Sequence, residues 1–142
     1  MSFLSIAAIL AAAQRSGRAL HEVICEDDCR ENGTTRDEAY RQMAVLWEAM
    51  AQSSAQYCAS DRSRSGLIGG DAERLRTAAE AGQLLGGGYD LHVMEQALKV
   101  AECNACMKRI VAAPTAGSCG VLPAVLLPLA EEQGIAQERI LE

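Results

Sequence analysis

An all-α domain is the fold this sequence predicts, an irregular set of helices joined by glycine-rich loops, and three observations predict it. Apolar residues recur at intervals of three and four in one segment after another, the spacing that gathers them on one face of a helix. Residues that favour helix starts and stops bracket those segments, with Thr35, Asp71 and Asp90 at starts and Gly17 and Gly33 at stops. Glycine clusters separate them, at Gly69-Gly70, Gly86-Gly87-Gly88 and again at Gly117 and Gly120.

The first helix is expected over residues 5–15, with Ile6, Ile9, Leu10 and Ala13 on its inner face and Gly17 ending it. Its apolar run, residues 3–13, has the outline of a signal-peptide core ending in Ala11-Ala12-Ala13. No Lys or Arg precedes it, however, and it is too short to cross a bilayer. The expectation is therefore a cytoplasmic protein without a membrane partner. A second helix, residues 20–31, places Leu20, Val23, Ile24 and Cys25 inward, turns an acidic face outward and stops at Asn32-Gly33.

Thr35-Arg36-Asp37-Glu38 has the capping-box form, in which the Thr hydroxyl and the Glu carboxylate each satisfy an orphan N–H of the helix start. The helix it opens should be long. Ala39, Met43, Leu46, Trp47 and Met50 make its core stripe, which continues weakly through Ala51, Ala55 and Cys58. The pattern then breaks over residues 60–71, where hydroxyls, glycines and charges surround one apolar pair, Leu67-Ile68. Gly69-Gly70 let the backbone approach a ligand or take positive φ, and Asp71 is placed to cap a helix over residues 71–81.

Gly86-Gly87-Gly88 reads as a turn; no Gly-Lys-Ser/Thr follows it and no strand-like run precedes it, so a phosphate loop is not expected. Asp90 is placed to cap a helix reaching Lys108, with Leu91, Met94, Leu98, Ala101 and Ala105 spaced for burial. His92 reads as a surface or satisfied core residue rather than a base. Residues 110–113 should be extended, because Pro114 disfavours the helical region at Ala113. After the loop Pro114-Thr115-Ala116-Gly117-Ser118-Cys119-Gly120, residues 121–132 are apolar nearly all round, which predicts a buried helix with Pro123 in its first turn and Pro128 kinking it. A short helix over residues 135–142 ends without a stop signal, as though the chain were cut.

The 142 residues, 49% of them hydrophobic, suffice for one cored domain, and a single domain over residues 1–142 is expected. A net charge of −6 and 4% aromatic residues exclude a nucleic-acid surface, which needs a basic stripe and stacking platforms. The six cysteines, Cys25, Cys29, Cys58, Cys103, Cys106 and Cys119, read as thiols rather than disulfides in a chain without an export signal. Cys25 with Cys29 and Cys103 with Cys106 have conceivable metal-ligand spacing. They sit in helical patterns rather than glycine-rich knuckles, so no metal is expected on this chain.

The loop at residues 114–120 is the most informative stretch. Two glycines, two hydroxyls and a thiol fall within seven residues, and a loop of this kind at a helix start can offer several N–H groups to a carboxylate or phosphate. Together with Ser65-Gly66-Leu67-Ile68-Gly69-Gly70-Asp71 and Asn104-Ala105-Cys106-Met107, the run from Ala113 to Pro123 resembles the iron-sulfur-dependent L-serine dehydratases, or L-serine ammonia-lyases. The likeness covers essentially the whole chain and points to the N-terminal half of the separate α chain of the two-subunit bacterial form. It departs at Lys108, where the family usually has glycine.

The resemblance implies a mostly helical catalytic domain that, when complete, holds a [4Fe–4S] cluster and converts L-serine to pyruvate and ammonia in amino-acid degradation and gluconeogenesis. An open iron site would act as a Lewis acid on the serine hydroxyl, a poor leaving group. The family's cluster thiolates come from motifs resembling G-C-Q-A-E, C-D-P and V-P-C-V, none of which occurs in this chain. Relatives commonly carry alanine at Cys106 and Cys119, so neither is expected as a ligand. The implied substrate-binding residues are Thr115, Gly117 and Ser118 for the serine carboxylate, with Ser65, Gly69, Gly70, Asp71 and Asn104 on the facing wall.

The resemblance implies an enzyme that needs more than this chain and a β chain as partner; association of copies is expected separately, because a helix such as residues 121–130 cannot face water without forming a large apolar patch. A non-catalytic helical interaction module derived from the same family is the alternative. A pyridoxal-phosphate lyase would need a Schiff-base lysine, and Lys99 and Lys108, the chain's two lysines, have no plausible phosphate loop beside them.

Overall fold

A computed structural model describes residues 3–142. Among the described residues there are seven α-helices, one short 3-10 turn and no strand, so the all-α expectation holds. The helices are α1 (Ile6–Ser16), α2 (Leu20–Asn32), α3 (Arg36–Ala55), α4 (Asp71–Glu80), α5 (Tyr89–Ala105), α6 (Val121–Gln133) and α7 (Gln137–Leu141); the 3-10 turn is Ala116–Ser118. The backbone divides into two compact units, one of Met1–Val45 with Leu141–Glu142 and one of Leu46–Ile140.

In the first unit α1 packs on α2. The ends of both helices are set by local chemistry. The Ser5 hydroxyl accepts the Ala8 N–H at 3.2 Å, and Gly17 and Gly33 close the helices in the left-handed conformation that a side chain disfavours. Which face is covered differs from expectation. Ile9 and Ala13 are half-buried, but Ile6 and Leu10 are exposed. With Ala7, Ala8, Ala11 and Ala12 alongside them, α1 is apolar on several sides and spacing alone does not select one. In α2 Val23 is buried while Leu20 is exposed, and the acidic face is not wholly outward: Asp27 is buried and paired with Arg30.

The capping box forms as read. The Thr35 N–H donates to Glu38 at 2.8 Å, and the Glu38 N–H donates to the Thr35 hydroxyl at 3.3 Å. The Thr35 N–H and the Thr35 hydroxyl, which donates to the same carboxylate at 2.8 Å, hold the Glu38 carboxyl below its ordinary range. Along α3 the core stripe is displaced toward the C-terminal end. Ala49, Met50, Ser53 and Ser54 are buried, Trp47 is half-buried, and Met43 and Leu46 are exposed. The helix passes from one unit to the other at Val45 and Leu46, and it is the second unit's core that takes up its last turns. It stops at Ala55, short of Cys58.

The second unit is organised on α5, which packs against both α4 and α6. A helix with two neighbours buries the stripe between them. Val100 and Cys103 are essentially inaccessible and Glu102 is buried with them, whereas Met94 and Ala101, expected inside, are exposed. Asp90 is in the first turn rather than capping it; Gly88 stands at the N-cap. Likewise Asp71 is the first residue of α4, paired with Arg74, and Gly70 at φ 82° occupies the cap position. Helix α5 ends at Ala105, before Lys108, and the chain turns there through Met107 at φ 61°.

Residues 110–113 form no strand, and the peptide between Ala113 and Pro114 is cis. Helix α6 is less covered than its composition suggested. Pro123, Ala124 and Pro128 face the core, while Val121, Leu122 and Val125 are exposed. Tyr89 ties the start of α5 to it by donating to the Val125 carbonyl at 2.8 Å.

Candidate functional site

The last turns of α5 hold the two loops that carry the motif residues. The first loop folds on its own hydroxyls. The Ser63 N–H donates to the Ile68 carbonyl at 2.8 Å, the Ile68 N–H donates to Ser63 Oγ at 3.1 Å, and Ser65 Oγ lies 3.2 Å from Ser63 Oγ. The Ser65 side chain is thus turned into its own loop. Gly69, at φ 141°, packs directly against the Asp61 carbonyl, and a Cβ there would also stand 3.0 Å from Arg62 Cδ. Arg62 braces this approach by donating to the Ala59 and Asp61 carbonyls at 2.8 and 2.6 Å. Beside Arg62, Gly66, Gly69, Gly70 and Arg74 opens a cleft of about 420 Å³.

Glu102 joins this loop to α5. Its carboxylate is 4% exposed and accepts the Gly70 N–H at 2.5 Å and the Ala72 N–H at 2.8 Å. Tyr57 takes the next donor of α4, the Glu73 N–H, at 3.3 Å. Burial pushes the Tyr57 phenol up, with the Glu102 and Glu73 carboxylates adding to the shift.

The second loop closes on a hydroxyl pair. Thr115 Oγ1 and Ser118 Oγ are 3.1 Å apart, and Ser118 Oγ accepts the Thr115 N–H at 3.2 Å. Thr115 and Gly117 are exposed and Ser118 is half-buried. Asn104 fixes the base of the loop by donating from Nδ2 to the Ala116 carbonyl at 3.3 Å. Gly120 lets α6 start against α5; a Cβ there would stand 3.3 Å from the Ala97 carbonyl. Cys119 is buried, which pushes its thiol up and removes it from the loop's open side.

The structure therefore brings Asn104, Thr115, Gly117 and Ser118 together, and it gathers Ser65, Gly69, Gly70 and Asp71 on the other loop. Residues 102 and 104 of one helix point about 200° apart, so the two groups hang from different sides of α5. Among the described residues no hydrogen bond joins them. Glu102 was not singled out from the sequence. It continues the polar line Glu95, Lys99 and Glu102, and Glu95 and Lys99 do pair with each other at 2.6 Å; the signal was its place beside the apolar Val100 and Cys103.

Beneath these loops Tyr57, Cys58, Asp61, Cys103, Cys106 and Lys108 line a narrow crevice. Lys108 pairs with Asp61 and donates to the Gln56 carbonyl at 2.6 Å, and the Asp61 bond raises its affinity for the proton. Cys58 is exposed, with Ser60 Oγ 3.1 Å from its sulfur. The Ser60 hydroxyl and amide hold this thiol below its ordinary range, and Lys108 assists. Burial raises Cys103 and Cys119. Since the thiolate is the nucleophile, iodoacetamide at neutral pH is expected to label Cys58 about tenfold or more faster than Cys103 or Cys119. Peptide mapping of a time course checks this; either buried thiol reacting first would contradict it.

Among the described residues no three His, Cys, Asp or Glu side chains gather as a metal site. Cys25 and Cys29 lie 4.0 Å apart on α2, in the first unit, while Cys58, Cys103, Cys106 and Cys119 belong to the second. These thiols do not fit a four-thiolate cluster.

Comparison with known proteins identifies the family. The family model described as "Serine dehydratase alpha chain" matches residues 7–142. The "L-serine dehydratase, alpha chain" of Peptoniphilus asaccharolyticus is 30% identical over 125 residues, which cover 87% of this chain and 43% of that protein. The "Probable L-serine dehydratase, alpha chain" of Bacillus subtilis (strain 168) is 29% identical over 122 residues, covering 86% of this chain and 41% of that protein. The chain thus spans about two fifths of the length of these curated relatives. No solved structure matches it. With the motif loops mounted on one helix and the family match running over nearly all its length, the chain belongs to the serine dehydratase alpha chain family.

Proposed function

We propose that this chain supplies the substrate-binding part of a cytoplasmic L-serine ammonia-lyase, which converts L-serine to pyruvate and ammonia: loss of water leaves an enamine, and one water then hydrolyses its imine tautomer, releasing ammonia. Thr115, Gly117 and Ser118, braced by Asn104, hold the serine carboxylate, and Ser65, Gly69, Gly70 and Asp71 on the other motif loop contribute the second wall. The observation that carries the reading is the hydroxyl pair of the exposed Thr115 and the half-buried Ser118, 3.1 Å apart and held at its base by Asn104. As the opening residues of a 3-10 turn, Ala116 and Gly117 carry N–H groups with no partner inside that turn, the donors a carboxylate takes. A [4Fe–4S] cluster, which the resemblance implies for the complete enzyme with ligands outside this chain, would supply a Lewis acid to the serine hydroxyl.

In the complete enzyme Thr115→Ala is expected to raise KM for L-serine about tenfold, the effect of removing one hydrogen bond to a charged group. Steady-state kinetics measures it, and an unchanged KM would remove Thr115 from the site.

A second reading, an interaction module, is favoured by the exposed Val121, Leu122 and Val125 on α6. An apolar stripe of this kind seeks cover, either from a second copy or from the β chain of the complete enzyme. The chain alone is expected to self-associate in sedimentation at micromolar concentration; a strict monomer would count against homo-oligomerisation.

A further inference from the structure

We propose that Glu102 is the positioning residue of the serine-facing wall, holding the Ser65 to Asp71 loop through the amides at the start of α4. The inference rests on the L-serine reading for its ligand and on the hydrogen bonds of Glu102 for its mechanism.

The start of a helix is the natural place for an anion, because its first N–H groups have no partner within the helix. In α4 that place is filled from inside. Glu102 Oε2 takes the Gly70 N–H, Oε1 takes the Ala72 N–H, and the Tyr57 phenol takes the Glu73 N–H. No substrate carboxylate can use the Gly70 and Ala72 donors without displacing a buried carboxylate that already accepts both. The two motif loops therefore divide their labour. The serine carboxylate goes to the Thr115 and Ser118 loop, and the glycine loop contributes a wall whose shape Glu102 sets.

That wall has little freedom to find its position alone. Gly69 and Gly70 both take positive φ, and both pack against the carbonyls and guanidinium of residues 59–62. Such backbone holds one shape only when its neighbours over-determine it. Glu102 supplies that restraint from α5, two residues from Asn104, which restrains the other loop. A single helical turn thus holds both motif loops, each from its own side of α5.

The test uses Glu102→Gln in the full chain, read by residue-resolved amide exchange and by titration with L-serine. Glutamine keeps the side chain's size but has one acceptor oxygen and turns an NH₂ toward the second amide. Exchange at Gly70 and Ala72 is expected to rise about tenfold or more, and L-serine affinity to fall about fivefold or more. Exchange in α6, of the same unit, should rise less than at Gly70 and Ala72. Met50→Ala, which empties buried volume on α3, serves as the control for mere destabilisation; it should lower the unfolding midpoint without moving either readout. Tyr57→Phe, which removes the acceptor of the Glu73 N–H but keeps the Glu102 carboxylate, should raise exchange at Glu73 more than at Gly70.

Raised exchange with unchanged serine affinity would overturn the positioning role and leave the serine reading standing. Weakened binding with Gly70 and Ala72 still protected would overturn the mechanism. If the parent chain binds no L-serine, it is the functional reading that fails. Exchange alone then decides whether Glu102 holds the loop, and unchanged protection in Glu102→Gln refutes it.

Discussion

Gly69→Ala is expected to lower the unfolding free energy of the Leu46–Ile140 unit by about 3 kcal/mol or more, the sum of backbone strain and overpacking. Gly69 sits at φ 141°, a region closed to side chains, and the position of its missing Cβ is already occupied by the Asp61 carbonyl oxygen and the Arg62 side chain. The oxygen belongs to backbone. Its residue is anchored by the Asp61 N–H to the Cys58 carbonyl at 3.0 Å and by the Arg62 guanidinium, so it cannot retreat as the end of a flexible side chain would. Gly66 provides the contrast. It too has positive φ, 74°, but nothing stands within 4 Å of its Cβ position. Gly66→Ala should therefore show strain without collision, costing about 1 kcal/mol, and Gly70→Ala, 3.3 Å from the Ala59 carbonyl, should fall between them. Denaturant midpoints of the three variants give the order. Equal losses at positions 66 and 69 would mean the loop does not pass against residue 61 in this way.

The same glycines mark what the sequence could and could not disclose. Helix ends were legible because their chemistry is local: Ser5 caps with its own hydroxyl, Gly17 and Gly33 turn left-handed, and Thr35 and Glu38 close a box across three residues. Faces were less legible. Spacing defines an apolar stripe but not how wide a neighbour's cover will be, and the exposed Met43, Leu46 and Met94 lie on stripes that also carry the buried Met50 and the half-buried Leu91 and Leu98. Asp71 and Asp90 misled for a related reason. Each can cap, yet a glycine takes the cap position itself, Gly70 directly before Asp71 and Gly88 two residues before Asp90. The Thr115 and Ser118 pair was visible because three residues separate them. The bond from Asn104 to Ala116 spans twelve residues, and the bonds from Glu102 span thirty and thirty-two, so they exist only once α4, α5 and the loops have packed.

That long-range dependence makes Glu102 the most sensitive polar position in the unit. Glu102→Ala leaves the Gly70 and Ala72 amides without their acceptor in a site that is 4% exposed. At roughly 1 to 3 kcal/mol for each buried polar group left unmet, the expected loss is about 3 kcal/mol. Glu102→Gln looks conservative, but its chemistry is not. Both carboxylate oxygens are in use, and whichever way the amide is turned, its NH₂ meets a backbone N–H, donor against donor. Glutamine is expected to cost nearly as much as alanine, since the bond it keeps is offset by the opposition it creates. Glu48→Gln, an exposed carboxylate on α3, is the reference and should change stability by less than about 0.5 kcal/mol. Urea unfolding of the three variants decides the matter. If Glu102→Gln were as mild as Glu48→Gln, the amides at the start of α4 would have to be satisfied without the carboxylate, and α5 would no longer be what holds the glycine loop in place.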